Sequence, residues 1–461
     1  MRFFLHISDS PRQKYPGALL HLFNMPVQKR EIFGWVMYDF ANSAFATTIL
    51  AVIFNQYFAG VVAGGGRGVY LLGFHLHGAS FFTFSVSISM AISAVVSPFL
   101  GAIADASGSR KRFLAAFCYT AIFFTGLLYF IHEGDYWTGA IFFILANVGF
   151  AGGNVFYNAF LREVSKDQNI GRISGFGWAL GYIGGGLLLA INLMMLKYPE
   201  WLGFPNGYFT VHDCFLSVAL WWSIFSLPTF LFLKEKAPGT VLFSERMSCR
   251  VGFQRLQHTF RRVRTFRELT KFLIAYLIYN DGIETVIMMA SIFGADVLGM
   301  ETGEIILFFL MIQGIAFFGS LIFGFLADTI GNKRTVMICL GIWSLIVLWA
   351  FQLGIFGDPK TEYWILGILA ALVMGGSQAA SRSLQGIFTP EANSAEFFAF
   401  FGVSGKFASV FGPLIYGILI AITGSVRSGI LSVLLFFVAG MAILWAVDEK
   451  RGIEEKQRPV L

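Results

Sequence analysis

The chain has 461 residues, of which 56% are hydrophobic and 13% charged, and its mean hydropathy is +0.69. Soluble domains carry about 25% charged residues, so this composition excludes an ordinary soluble enzyme and points to a protein that crosses a membrane many times. The net charge of +6 is unevenly placed and reads as membrane orientation, not nucleic-acid binding; the four cysteines show no C-x-x-C spacing, so neither a disulfide framework nor a metal site is expected.

Residues 1–33 read as a cytoplasmic extension. The first 24 contain no long apolar run, so no signal peptide is expected, and Met25 is a plausible alternative start. Apolar runs of membrane-crossing length follow at 34–58, 79–104, 113–131, 137–160, 173–196 and 210–233. After a basic linker at 234–270, six more lie at 271–297, 303–327, 335–356, 362–388, 397–422 and 429–447, ahead of a cytoplasmic tail at 448–461. Spans built as barrel strands would alternate with polar residues, and these do not, so twelve helices are predicted. Within the linker, Leu256, Phe260 and Val263 recur at helical spacing among arginines, which suggests a basic amphipathic helix on the inner leaflet.

The two halves echo each other. GAIADASGSRKR follows the second run, with Gly101, Asp105, Gly108, Arg110 and Lys111; GFLADTIGNKR follows the eighth, with Gly324, Asp328, Gly331, Lys333 and Arg334. Of the 33 Lys and Arg, 27 fall on one side of such a topology and four (Arg67, Lys197, Lys360, Arg427) on the other. The positive-inside rule then places both termini in the cytoplasm.

The repeated G-x-x-x-D-x-x-G-x-[RK]-[RK] resembles the cytoplasmic gating-loop motif of the major facilitator superfamily, although Ala106 and Thr329 stand where an Arg often follows the Asp. GWVMYDFANSAFATT at 34–48, FYNAFLREV at 156–164, GRISGFGWALGYIGGG at 171–186, YNDGIETV at 279–286, SRSLQGIF at 381–388 and GKFASVFGP at 405–413 resemble the vacuole-effluxer-like branch, which includes the fungal autophagy-related amino-acid effluxer. Arg162 departs from it, standing where a Pro is expected. The resemblance implies an all-α membrane protein of two pseudo-symmetric six-helix bundles, at 34–233 and 271–447, around a central cavity. It also implies export of small solutes, amino acids first.

In that fold the first, fourth, seventh and tenth spans line the cavity, and most of the buried polar groups fall on them here: Asp39, Asn42 and Ser43; Asn154, Tyr157 and Asn158; Asn280, Asp281 and Glu284; Gln378 and Arg382. Lys406, on the eleventh span, is the exception. Ionisable groups at membrane depth are costly and mark function by default. Asp281 or Glu284 is a candidate proton carrier, and Arg382 and Lys406 are candidates to hold a substrate carboxylate or to pair with the acids. The competing readings are helix-locking ion pairs, a cap for Asp39, snorkelling for Arg382 and interhelical hydrogen bonds for the asparagines. Gly181, Gly184, Gly185 and Gly186 read as close helix packing.

The expectation is a monomeric multi-pass transporter in the cell (inner) membrane, working by alternating access on a small polar solute. Its partners are the bilayer and the solute, with no nucleic acid, no catalytic residues, no metal and no cofactor beyond possible proton coupling. The alternatives are another solute class, such as a sugar or drug-like compound, or a transporter-like sensor.

Overall fold

The computed structural model describes residues 26–64, 68–71, 74–235, 266–423 and 426–457. The amphipathic segment expected in the linker lies mostly outside them. Among the described residues the regular elements are helices and one small antiparallel hairpin, β1 (Val69–Leu71) with β2 (Phe74–Leu76), in the first connection.

The long helices are α1 (Val27–Val62), α2 (Gly78–Ser107), α3 (Arg110–Leu127), α4 (Tyr136–Ala159), α5 (Ile170–Lys197) and α6 (Val211–Phe232) in the first half. The second half supplies α7 (Arg267–Leu298), α8 (Thr302–Ile330), α9 (Asn332–Phe351), α10 (Pro359–Phe388), α11 (Ser394–Thr423) and α12 (Val426–Trp445). A short α13 (Glu449–Gln457) follows, where the sequence suggested only a tail. Among the described residues, eleven helices are long and apolar enough to cross a membrane. α1 begins at Val27, seven residues before its apolar run, because Pro26 pre-sets the helical entry and Glu31 is buried rather than hydrated. Its second half winds as π-helix over Phe45–Val52 and Phe58–Val62, a form that often accompanies functional sites.

Helix pairing repeats between the halves. α1 packs on α5 and α6, α4 on α2 and α3, and α3 on α6; likewise α7 packs on α11 and α12, α10 on α8 and α9, and α9 on α12. Across the halves, α5 meets α8 and α2 meets α11. Glycines set these distances. A Cβ at Gly101 would lie 2.9 Å from the Ala395 carbonyl oxygen, and one at Gly324 2.8 Å from that of Gly171, so each repeat glycine brings its helix against one from the other half. Gly181 and Gly185 face α1 side chains, and Gly184 faces the α1 backbone; Gly186 faces Gln313 of α8.

Candidate functional site

One end of the molecule gathers both repeat loops. α2 ends with Gly108 in the left-handed region, φ +57°, which only glycine adopts without strain. Asp105, just before this turn, accepts the backbone N–H groups of Ala395 (3.1 Å) and Glu396 (2.9 Å) at the start of α11. Asp328, at the end of α8, accepts those of Gly171 (2.7 Å) and Arg172 (3.1 Å) at the start of α5. Each carboxylate thus answers the orphan donors and positive end of a helix from the opposite half. The cations differ: Arg110 pairs with Asp105 at 2.5 Å, whereas Arg172 supplies the cation for Asp328 at 3.0 Å.

The basic residues of the two repeats are offset by one position in space. Glu235, after α6, accepts the Arg110 and Lys111 amides at 2.7 and 3.5 Å; Glu449, at the start of α13, accepts those of Asn332 and Lys333 at 3.1 and 3.2 Å. The Lys111 ammonium donates to the Leu233 carbonyl, and the Lys333 ammonium to the Trp445 and Val447 carbonyls. Lys333 is therefore the spatial counterpart of Lys111, although the sequence aligns it with Arg110, because the second loop turns on Gly331 alone where the first uses Gly108 and Ser109.

Further ties join the halves at this end. Arg110 also reaches Glu163 and the Glu391 and Ala392 carbonyls. Arg162 pairs with Asp167 at 2.5 Å and meets Glu391 at 3.5 Å; Asp167 pairs with Lys456 of α13 at 2.9 Å.

Deeper in, a single guanidinium joins the halves. Arg382 of α10 enters a pocket built wholly from the first half. Its Nη1 donates to Asp39 Oδ2 at 2.9 Å and lies 3.4 Å from Asn158 Oδ1; its Nε and Nη2 donate to the hydroxyl and carbonyl of Ser174 at 3.0 and 2.6 Å. Trp35, Trp178 and Tyr157 lie 5.0, 5.1 and 5.7 Å from the guanidinium carbon. Tyr157 donates its hydroxyl to Asp39 at 2.7 Å and stacks between Trp35 and Tyr38; the Trp35 indole donates to the Tyr157 carbonyl at 2.9 Å. The Arg382 side chain is 3% exposed, so it is enclosed and does not snorkel. Gly177 makes the room: a Cβ there would lie 2.6 Å from Arg382 Nη2 and 2.7 Å from Asp39 Oδ2. One turn along, Tyr182 of α5 donates to Gln378 of α10.

The other sequence candidates are spread out. Asn42 donates to Asn154 at 2.6 Å, tying α1 to α4. Ser43 faces Gly181. Asn280 and Asp281 are buried, and both Asp281 oxygens accept the amide of Gly412, on α11, at 2.9 Å. Glu284 is half-buried, within electrostatic reach of Tyr182 and Tyr276. Lys406 belongs to α11, and its side chain lies outside the described residues. Trp35, Ser174, Gly177, Trp178 and Tyr182 were not singled out as site residues from the sequence. The signal was two tryptophans beside glycines, Trp35 after Gly34 and Trp178 after Gly177.

The model of the family described as vacuole effluxer Atg22 like matches residues 27–169 and 162–457. The chain belongs to that family. It is 30% identical over 430 residues to an uncharacterized MFS-type transporter, YxiO, of Bacillus subtilis, covering 92% of this chain and 96% of the relative. It is 26% identical to autophagy-related protein 22 of Pichia angusta over 83% of this chain and 77% of that one. Among solved structures, the human organic anion transporter MFSD10 (TETRAN) superposes with a TM-score of 0.68 at 13% identity, covering 91% of this chain and all of that one. The proton:xylose symporter XylE superposes with a TM-score of 0.66 at 14% identity, covering 95% and 99%. The chain is thus a multi-pass membrane transporter of the major facilitator superfamily.

Proposed function

We propose that this family member is a secondary active transporter that exports small polar solutes, amino acids first, by alternating access. Its two six-helix bundles, twelve spans in all, would rock about the central polar rows, with both termini in the cytoplasm. The observation that carries this reading is the insertion of Arg382 from the second half into the Asp39 pocket of the first. It is a buried polar contact between bundles and sits beneath a second layer of ties at the repeat loops. Such layered contacts make one end close as a unit, which alternating access requires. The uneven placement of Lys and Arg supports the cytoplasmic assignment of that end. The vacuole-effluxer family supports export, and Asp281 and Glu284 are the proposed coupling carboxylates if protons move.

The test is counterflow in proteoliposomes holding the purified chain, with labelled neutral amino acids, sugars and organic cations, at pH 5.5 and 7.5. Saturable exchange of amino acids supports the reading; exchange of another class alone removes amino acids as the substrate. A parallel thermal-shift screen reads binding without flux, because ligand at 100 times its dissociation constant adds about 2.7 kcal/mol of stability. Binding in that screen with no counterflow of any solute would favour a sensor.

A further inference from the structure

Every group that surrounds the Arg382 guanidinium belongs to the first half of the chain: Trp35 and Asp39 on α1, Tyr157 and Asn158 on α4, Ser174 and Trp178 on α5. Three of these groups are held together by bonds that do not involve Arg382. Tyr157 donates to Asp39, the Trp35 indole donates to the Tyr157 carbonyl, and the Trp35 and Tyr157 rings stack at 4.6 Å. The Trp35–Tyr157–Asp39 wall of the cage is therefore preformed, and among the described residues Arg382 is the charged group that the other half contributes to it.

We infer that this cage is a binding site for an organic cation, a primary ammonium or a guanidinium, and that Arg382 is a tethered competitor that fills it when this end is closed. The inference rests on the alternating-access reading above. When the halves part at this end, α10 withdraws Arg382, and the first half is left with a carboxylate, a carbonyl and the rings of Trp35 and Trp178, with Tyr157 stacked behind Trp35. Aromatic faces and a carboxylate converging on one point select a cation. A carboxylate among aromatic rings also needs a positive partner wherever water is scarce. The buried indole N–H of Trp178 has no acceptor among the described residues, so the same cage offers a donor to a ligand that also carries an oxygen. A cation entering from the open side restores the charge balance that Arg382 otherwise supplies, and its departure lets Arg382 return. Ligand exchange and closure would then be one event.

The test uses Arg382→Ala in the full-length chain, which vacates the cage in every state, with Arg382→Gln carried in parallel in case the alanine variant folds poorly. Ethylguanidinium and ethylammonium are the probes, and ethylurea is the neutral control. Binding is read by tryptophan fluorescence and thermal shift in detergent. The expected result is saturable binding of at least one cation, tenfold or more tighter than in the unsubstituted chain, where Arg382 competes. No binding of ethylurea is expected, and the cation signal should vanish when Asp39→Asn or Trp178→Leu is added. Absence of saturable binding in whichever Arg382 variant folds, or equal binding of ethylurea, overturns the inference. Amino-acid counterflow without cation binding would sink the cage and leave the transport reading standing. Cation binding without amino-acid counterflow supports the cage and removes the substrate.

Discussion

Asp105 and Asp328 hold equivalent places in the two halves, and each receives the first backbone amides of a helix from the other half. The receiving positions are equivalent as well: Ala395 and Glu396 are the second and third residues of α11, and Gly171 and Arg172 the second and third of α5. The difference lies in one side chain. Arg172 adds its own guanidinium to the carboxylate it meets, whereas Glu396 cannot, so Asp105 takes its cation from Arg110 within its own repeat. Arg110 is buried and Arg172 half exposed.

This asymmetry separates the two acids. Losing a helix-capping acceptor costs about 0.5–2 kcal/mol. Asp328→Ala should cost about that much, because Arg172 can turn to water. Asp105→Ala should cost more, because it also leaves the buried Arg110 with Glu163 as its one remaining carboxylate partner among the described residues. Thermal unfolding of the two variants checks the order, and equal losses would show that Arg110 finds full compensation.

Breaking the Asp39–Arg382 pair one partner at a time should be expensive. Removing one member of a buried pair typically costs about 3–5 kcal/mol, because the other charge stays buried. Asp39→Asn and Arg382→Gln should each lower the unfolding temperature sharply. The double variant should be more stable than the sum predicts, with a coupling of about 0.5–3 kcal/mol. Simple additivity in the cycle would mean that the two charges are not partners in solution.

Gly177→Ala is a sharper probe of the same place, since it adds one methyl and removes no charge. That methyl would meet the guanidinium and the carboxylate within 2.7 Å. It should push Arg382 out and favour opening of this end. A single reporter cysteine on the cavity side of α10 should be alkylated faster in the variant by a reagent applied at the repeat-loop end. Unchanged labelling would show that the guanidinium shifts without leaving.

The helices were legible because apolar runs of about 20 residues have no other stable form in a bilayer. The repeat glycines and acids were legible because a motif seen twice carries its own control. Other features were hidden for identifiable reasons. Arg382 read equally as a snorkelling residue, because depth along a span says nothing about which face meets a neighbour; only the convergence of α1, α4 and α5 shows it enclosed. The pairing of Lys111 with Lys333 was masked by a loop one residue shorter, which no aligned offset reveals. Arg162 registered as a departure from the family pattern. Its partners, Asp167 five residues on and Glu391 from a distant loop, explain it only in three dimensions.

Asp281 offers a test of proton coupling that leaves the fold in place. Its two oxygens accept the backbone N–H of Gly412, within α11. Asparagine keeps one such oxygen and alanine keeps neither. Asp281→Ala should lose about 1–3 kcal/mol through an unsatisfied buried donor; Asp281→Asn should fold nearly normally. If Asp281 carries the coupled proton, Asp281→Asn should abolish the pH dependence of transport while exchange continues. An unaltered pH profile in that variant would pass the role to Glu284 or remove it from the span.

The clasp at the repeat-loop end should answer to acid and salt. Burial would raise the Asp167 carboxyl, but hydrogen bonds and charge from Arg162 and Lys456 outweigh it and hold it below the ordinary value. Burial and the charge of Arg162 pull the Lys456 ammonium down, against the hydrogen bond and charge of Asp167 that hold it up. A carboxyl lowered in the folded state stabilises fully above its unfolded value of about 3.9, and the contribution disappears as pH falls through the folded value. The clasp should therefore hold from pH 7 to about pH 5 and fail only below about pH 4. Both cations have nearly buried side chains and share the partly exposed Asp167, so each alanine variant should cost stability, and Arg162→Ala should cost more than Lys456→Ala because Arg162 also meets Glu391. Raising salt from 0.1 M to 1 M shortens the Debye length from about 10 Å to about 3 Å, and should weaken both effects only in part, because both cations are nearly buried. Unfolding temperatures of the two variants across pH and salt decide this. A loss of stability between pH 7 and 5 that both variants abolish would show that Asp167 titrates in the opposite sense.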